Sequence, residues 1–494
     1  MPDADQVAPG AGPRRRFGRL AAVALGRPDA GGFELCLAAL LFVAVAGYLS
    51  LRGATNACLM LLALLSLAGL RGAWRDAGRR GTRRALLLAA AALAAPIVSV
   101  AIGQALRGEW LAKAFDAPSR LLLAIPVMLA FHHRRIDAVR ILGFAAPLAL
   151  IELVVQVRLD PRALVAWQGR YATYFVDTDM FGVYTLLLAA FALFALKRGS
   201  SAGSAGAGAV PPGWMLPPTV SRVLVVPGVC AGAYLVVASQ TRTAYLLVPV
   251  AALLWLWLRR PALDARTAVC VLLALVAGVA AFSGATDRLV SIYADVSTWA
   301  DASNPDTSGG FRLTMWRIAW TLFLHRPWQG YGDTGFRALL DAPWITSFAS
   351  ERARQMIHAG PHNELLANLL RSGVAGGLAV AMLFAVPLGL FWRARRLDAD
   401  AAARRAADTG IAFMICLMLA CVTFEMFTLK YTASFNALVI ATLVAQALGV
   451  GGGAAASSAP GRAAGPDRAA GRTRSGRRPG RIDRIGRGGK EVRR

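Results

Sequence analysis

Three positions in this 494-residue chain pair a reactive side chain with surroundings that a purely structural residue does not need. His362 lies in His358-Ala-Gly-Pro-His-Asn-Glu-Leu-Leu366. Pro361 favours the first turn of a helix, which places His362 at or near a helix N-terminus. The positive end of the helix dipole disfavours an imidazolium, so the ring there stays neutral and able to take a proton. Arg242 lies in Ser239-Gln-Thr-Arg-Thr-Ala-Tyr245, a polar patch between two apolar runs, and Arg312 follows Ser308-Gly-Gly310. A guanidinium binds phosphate through a planar, two-pronged contact, and a glycine-flanked helix start adds free backbone N–H groups. Two such cations suit a diphosphate, and a neutral imidazole suits a hydroxyl that must lose its proton. Each residue also has a plainer reading: an interface anchor for Arg242, an exposed helix charge for Arg312 and a structural role for His362.

Metal and cofactor chemistry find less support. His358 and His362 have a usable spacing, but Gly360 and Pro361 break the helix that would align them, and no acid or cysteine set completes a zinc site. The expectation is no metal and no cofactor. The six cysteines, Cys36, Cys58, Cys230, Cys270, Cys416 and Cys421, all fall in apolar runs and read as small core residues.

The elements that must position these residues are membrane helices. The chain is 56% hydrophobic, with a mean hydropathy of +0.50. Apolar runs occur at 35–51, 54–70, 85–106, 119–131, 138–157, 180–196, 222–239, 243–258, 267–282, 373–392, 409–428 and 432–450. Runs of this kind span a hydrocarbon core of about 30 Å, and a backbone in hydrocarbon must satisfy its own hydrogen bonds. The expected fold is therefore all-α and integral to the membrane, with about twelve transmembrane helices. Alternate loops are basic: Arg71 to Arg84, then Arg134, Arg135 and Arg140, then Lys197 and Arg198, then Arg259 and Arg260, then Arg393 to Arg405. Retention of basic loops in the cytoplasm puts both termini inside. The formal net charge of +26 sits in these loops and at the chain ends, without the interleaved aromatics of a nucleic-acid groove, so no nucleic-acid partner is expected. No cleavable signal peptide is apparent before the first span.

The resulting plan has a basic cytoplasmic tail over 1–33, nine spans over 34–282 and an extracytoplasmic loop over 283–361. Three spans follow over 362–450, and a basic tail without core-forming residues covers 451–494. Gly199 to Gly213 reads as a flexible cytoplasmic linker. The loop of 283–361 is too long to be a mere connection. It holds Phe311 to His325, an amphipathic pattern with Trp316 and Trp320 suited to the membrane interface, and then the turn Arg326-Pro-Trp-Gln-Gly-Tyr-Gly332.

Together these residues resemble the O-antigen ligase and polymerase superfamily. The likeness rests on His362-Asn-Glu-Leu-Leu366, on Leu370-Arg-Ser-Gly-Val-Ala-Gly376, on the 325–332 turn, on the Ser-Gln-Thr-Arg-Thr patch and on Arg312 with Trp316. It implies a GT-C-like, metal-independent, inverting glycosyltransferase of the bacterial inner membrane, acting on the periplasmic side. The implied donor is a glycan on undecaprenyl diphosphate, and the acceptor of a ligase is the lipid A-core. In relatives the acceptor is another lipid-linked glycan, as in a polymerase, or a protein side chain, as in an O-oligosaccharyltransferase. By motif, Arg242 and Arg312 hold the diphosphate and His362 acts at the acceptor hydroxyl. Arg120, Arg170 and Lys430 are further candidates for the phosphates, and Asn363 and Trp316 for substrate contact. Membrane lipids complete the expected partners. One departure stands out: the chain reads Asp177-Thr-Asp-Met-Phe-Gly182 where the family more often has a neutral turn. Two acids there repel a diphosphate unless they point away or bind the acceptor. A transporter or flippase is disfavoured, because ionisable residues are scarce at mid-span and no inverted repeat is visible.

Overall fold

The structure, a computed structural model, describes residues 31–160, 167, 169–195, 218–259, 285–301, 303–397 and 401–449. The expected ninth span at 267–282, the 199–213 linker, the 451–494 tail and most of the 1–33 tail lie outside them. Among the described residues every regular element is helical. In chain order they are α1 (Gly32–Ala46), α2 (Ala54–Leu67), α3 (Leu70–Arg79), α4 (Arg83–Arg107), α5 (Asp116–Arg134), α6 (Ala138–Leu159), α7 (Thr178–Ala195) and α8 (Pro218–Ser239). Then come α9 (Arg242–Arg259), α10 (Ala285–Ala300), α11 (Ser308–His325), α12 (Pro343–Thr346), α13 (Glu351–Met356), α14 (Glu364–Arg396), α15 (Ala401–Ala420) and α16 (Lys430–Ala447).

Five of these helices are long and apolar enough to cross a membrane, or six if α2 and α3, bent by 72° at their junction, make one span. Shorter apolar helices lie at Gly32–Ala46, Val223–Ser239 and Arg242–Leu258. The centre of the bundle is α16, in which every residue from Thr432 to Ala447 is buried. A helix that is apolar all round finds its place inside a bundle rather than on its surface. Around it pack α2, α4, α5, α6, α14 and α15, while α6, α7 and α8 form a tight group of their own.

Two helices differ from the apolar runs of the sequence. The 409–428 run is not one span: α15 ends at Ala420, and 421–429 form a structured loop of successive turns. The 373–392 run is the second part of a longer element, α14, which breaks at Gly373 (φ 61, ψ −149). A Cβ at Gly373 would fall 2.6 Å from the Trp328 carbonyl oxygen, so only glycine lets the 326–332 turn approach. The break frees backbone groups that a straight helix would use, and the turn takes them up. Tyr331 N–H donates to the Leu370 carbonyl (2.8 Å), Gly332 N–H to Arg371 (2.9 Å), and Val374 N–H to Pro327 (2.7 Å). Two sequence motifs that lie some forty residues apart are thus the two halves of one joint.

The amphipathic stretch forms α11 as expected, and its apolar face covers a small separate core. Phe311, Met315, Ile318, Ala319 and Leu322 pack with Tyr331, Phe336, Leu340, Ile345 and Ile357. Trp320 and Trp328 stay exposed.

Candidate functional site

The site is built where α7, α8, α9, α10, α11 and α14 present their ends to one another. Gln240 adopts φ 53 in the Ser239–Arg242 turn, which reverses the chain between α8 and α9 and puts Arg242 at the first position of α9. Gly182 makes room for this turn, since a Cβ there would fall 2.7 Å from Thr241 Oγ1. Thr241 Oγ1 in turn donates to the Thr178 carbonyl at 2.7 Å.

Arg242 Nη1 pairs with Asp295 Oδ2 of α10 at 2.7 Å. Asp295 is buried, and its Oδ2 also accepts the Gly309 N–H at 3.0 Å. The Gly310 N–H donates to Thr307 Oγ1, the cap of α11. The glycine N–H groups that the sequence offers to an anion are therefore engaged, because Thr307 and Asp295 satisfy the helix start from within the chain.

Arg312, one turn into α11, lies 3.5 Å from Asp179 Oδ2, and Arg170 reaches Asp179 Oδ1 at 2.8 Å. Arg170 Nε also donates to the Ser239 carbonyl (2.9 Å). Burial lowers the Arg312 pKa from its ordinary value; Asp179 opposes the shift, while the charges of Arg242 and Arg170 add to it. Three guanidinium groups thus gather around two carboxylates. The acids of 177–182 divide their work. Asp177 Oδ1 caps α7, accepting the N–H groups of Asp179 (3.0 Å) and Met180 (2.9 Å), whereas Asp179 holds the cations.

His362 stands beside this cluster. It is half-buried and takes φ 52, a left-handed conformation uncommon outside glycine. The helix it precedes starts at Glu364, and Asn363 is its cap, accepting the Leu366 N–H at 3.0 Å. Asn363 therefore carries a capping role, and its amide also donates to the Val422 carbonyl (3.0 Å). Burial lowers the His362 pKa below the ordinary imidazole value; Arg312 pushes it further down and Asp179 partly offsets this. The ring is thus kept neutral chiefly by desolvation and a neighbouring cation, rather than by the helix dipole alone.

Trp316, one turn beyond Arg312, has an indole N–H shut from solvent with no hydrogen-bond partner among the described residues. Arg120 and Lys430 gather elsewhere. Both pair with Asp116, Arg120 at 2.8 Å, and Asp116 and Lys430 line a cavity of about 270 Å³. Residues 358–361 form one wall of that cavity, so it lies against the His362 turn. Among the described residues, no group of three or more His, Cys, Asp or Glu side chains is arranged to hold a metal ion.

The sequence reading missed the 421–429 loop, which touches Thr243, Arg312, the His362 turn and the start of α14. The Thr423 and Thr243 hydroxyls lie 2.9 Å apart, and Phe424 lies under the Arg312 guanidinium at 5.3 Å. Glu425 Oε1 accepts the His362 N–H (3.3 Å) and Phe427 N–H donates to Glu364 Oε2 (3.0 Å). One signal was available: Cys421-Val-Thr-Phe-Glu-Met-Phe-Thr428 carries a glutamate inside an otherwise apolar run.

With this geometry in place, comparison with known families is direct. Residues 227–381 match the model of the O-antigen ligase family. The matched segment holds Arg242, Asp295, Arg312, Trp316 and His362, together with both halves of the Gly373 joint. No curated protein matches the chain.

Proposed function

We propose, from the O-antigen ligase domain over 227–381, that the chain is a membrane glycosyltransferase moving a glycan from undecaprenyl diphosphate to the lipid A-core. The observation that carries this reading is the convergence of Arg242 and Arg312, from the starts of two helices, and His362, from the turn before a third, onto one polar site. Arg170 joins them through Asp179.

In the reaction, the acceptor hydroxyl oxygen attacks the anomeric carbon as the bond to the diphosphate oxygen breaks. His362 takes the hydroxyl proton, and the diphosphate leaves with the bonding electron pair. A single displacement of this kind inverts the anomeric centre. Negative charge grows on the leaving group, where guanidinium hydrogen bonds contribute about 1.5–3 kcal/mol each. A positioned base adds roughly 10²–10⁴-fold. Before the donor arrives, Asp179 and Asp295 hold the guanidinium groups in place; the diphosphate then takes over their contacts. The buried Trp316 N–H supplies a further donor for a substrate oxygen.

This chemistry belongs on the periplasmic face of a bacterial inner membrane, in a twelve-span protein with both termini cytoplasmic. The exposed Trp320 and Trp328 suit a membrane interface. The nearest other reading is an O-antigen polymerase, which keeps the site and changes the acceptor. The lipopolysaccharide of a deletion strain tests the choice. Loss of all capped core is the expected result, and core bearing a single repeat unit identifies a polymerase instead.

A further inference from the structure

We propose that Glu425 is the positioning residue of His362: its carboxylate, set behind the 360–362 turn, holds the left-handed backbone that keeps the imidazole beside Arg312. The inference rests on the reading of His362 as the base. It begins from strain. A histidine at φ 52 persists only where its surroundings over-determine it. Here those surroundings are the 421–429 loop, tied to the turn at successive points. Glu364 N–H donates to the Cys421 carbonyl (2.9 Å), Asn363 Nδ2 to Val422 (3.0 Å), and Phe427 N–H to Glu364 Oε2 (3.0 Å). Among these ties, the one that reaches residue 362 itself is the His362 N–H to Glu425 Oε1.

The two sides are shaped to fit. Gly360 has φ 113, and a Cβ there would fall 2.8 Å from Glu425 Cδ, so the carboxylate needs a glycine in front of it. Its other oxygen accepts from Thr428 Oγ1 at 3.0 Å. Arg371 and Glu364 face it from α14, and it opens on the cavity shared with Lys430, Asp116 and His358. Burial raises the Glu425 carboxyl to about 7, against the pull of Arg371. Acid and carboxylate forms both keep an oxygen that can accept the His362 N–H. The positioning role therefore needs an oxygen at this place, and the negative charge is secondary.

The test uses full-length protein in lipid nanodiscs, with Glu425→Ala, Glu425→Gln and Gly360→Ala. Turnover at saturating donor should fall roughly 10²-fold in Glu425→Ala, the scale of an ångström misplacement at a reacting group. Donor affinity should stay within about twofold, since the guanidinium cluster is untouched. Glu425→Gln should keep most of the rate. Gly360→Ala should resemble Glu425→Ala, and the double variant should lose less than the two losses combined. Wild-type turnover in Glu425→Ala, equal losses in Gln and Ala, or a parallel loss of donor binding would each overturn the proposal. A readout free of the transfer assay is the His362 titration, followed by NMR on ¹⁵N-histidine protein. Glu425→Ala should let the ring relax towards water, raising its pKa towards the ordinary value. If that shift occurs while wild-type protein transfers no glycan, the positioning stands and the transferase reading falls. If transfer is intact and the titration does not move, the positioning falls alone.

Discussion

At the scale of single residues the site is a balance of charges, and that balance makes its roles separable. In the proposed reaction His362 takes a proton and must therefore be neutral, so turnover should fall as pH drops through its pKa. Burial and the Arg312 charge hold that pKa below the ordinary imidazole value of about 6.5. Removing the Arg312 charge removes one lowering influence. The acid limb of the pH–rate profile should then move to higher pH in Arg312→Gln and stay in place in Arg312→Lys. Asp179→Asn should move it the other way, because Asp179 raises the His362 pKa. His362→Ala should bind donor nearly as well as wild type and lose this limb altogether. Arg242→Ala and Arg312→Ala should weaken donor binding itself, and Lys at either place should rescue only in part, for want of the planar fork. An unmoved limb in Arg312→Gln would separate the two residues and defeat the shared-site reading. The cations and the histidine were legible in the sequence because their types are out of place there: an arginine between apolar runs, a histidine after Gly-Pro. Glu425 stood out as an ionisable residue at the outer end of an apolar run, but its pairing with His362 was not legible, nor was that of Asp295 with Arg242. Asp295 meets Arg242 across more than fifty residues of chain, and Glu425 meets His362 across more than sixty, so no local spacing could announce either pair.

At the scale of elements the controlling feature is the break in α14. Its first turns run from Glu364 to Ser372 and follow the His362 turn; its second part, from Val374 to Arg396, is the longer one, and the whole element is long and apolar enough to cross a membrane. Gly373 joins them at φ 61, with the 326–332 turn bonded into the gap. Gly373→Ala meets two penalties, a left-handed backbone and a Cβ 2.6 Å from the Trp328 carbonyl oxygen. Strain of this kind costs of order 1–3 kcal/mol. The variant should melt earlier in detergent and lose turnover, since a straightened α14 would swing His362 away from Arg312. Unchanged melting and turnover would mean the joint tolerates a straight helix. The apolar runs showed where most helices lie, because length and hydropathy are properties of the run itself. They showed neither this break nor the end of α15 at Ala420. In both places polar residues mark the spot, Arg371 and Ser372 before Gly373 and Thr423 and Glu425 after Ala420, but nothing local says that the backbone turns there to meet partners from elsewhere in the chain. The run beginning at 373 nevertheless marks the point at which α14 resumes beyond its break.

At the scale of the whole molecule, the proposed reaction depends on which side of the membrane the site faces. The charge distribution argues for one orientation. Lys197 and Arg198 lead into the 199–213 segment, and under the proposed topology retention of basic loops puts that segment in the cytoplasm. Ser308 opens α11 one turn before Arg312 and is exposed, so it reports on the side of the site directly. With the six native cysteines replaced, Ser308→Cys should react with a membrane-impermeant maleimide on intact spheroplasts. Gly199→Cys should react only after the membrane is opened. The logic is strict because the span count enters as a parity: between residues 199 and 308 an odd number of crossings puts the two probes on opposite sides, and an even number puts them together. Labelling of both from one side would place Arg312 and His362 on the same side as the basic loops. A periplasmic acceptor could not reach them there, and the glycosyl-transfer reading would fail even though the arginine cluster remained intact.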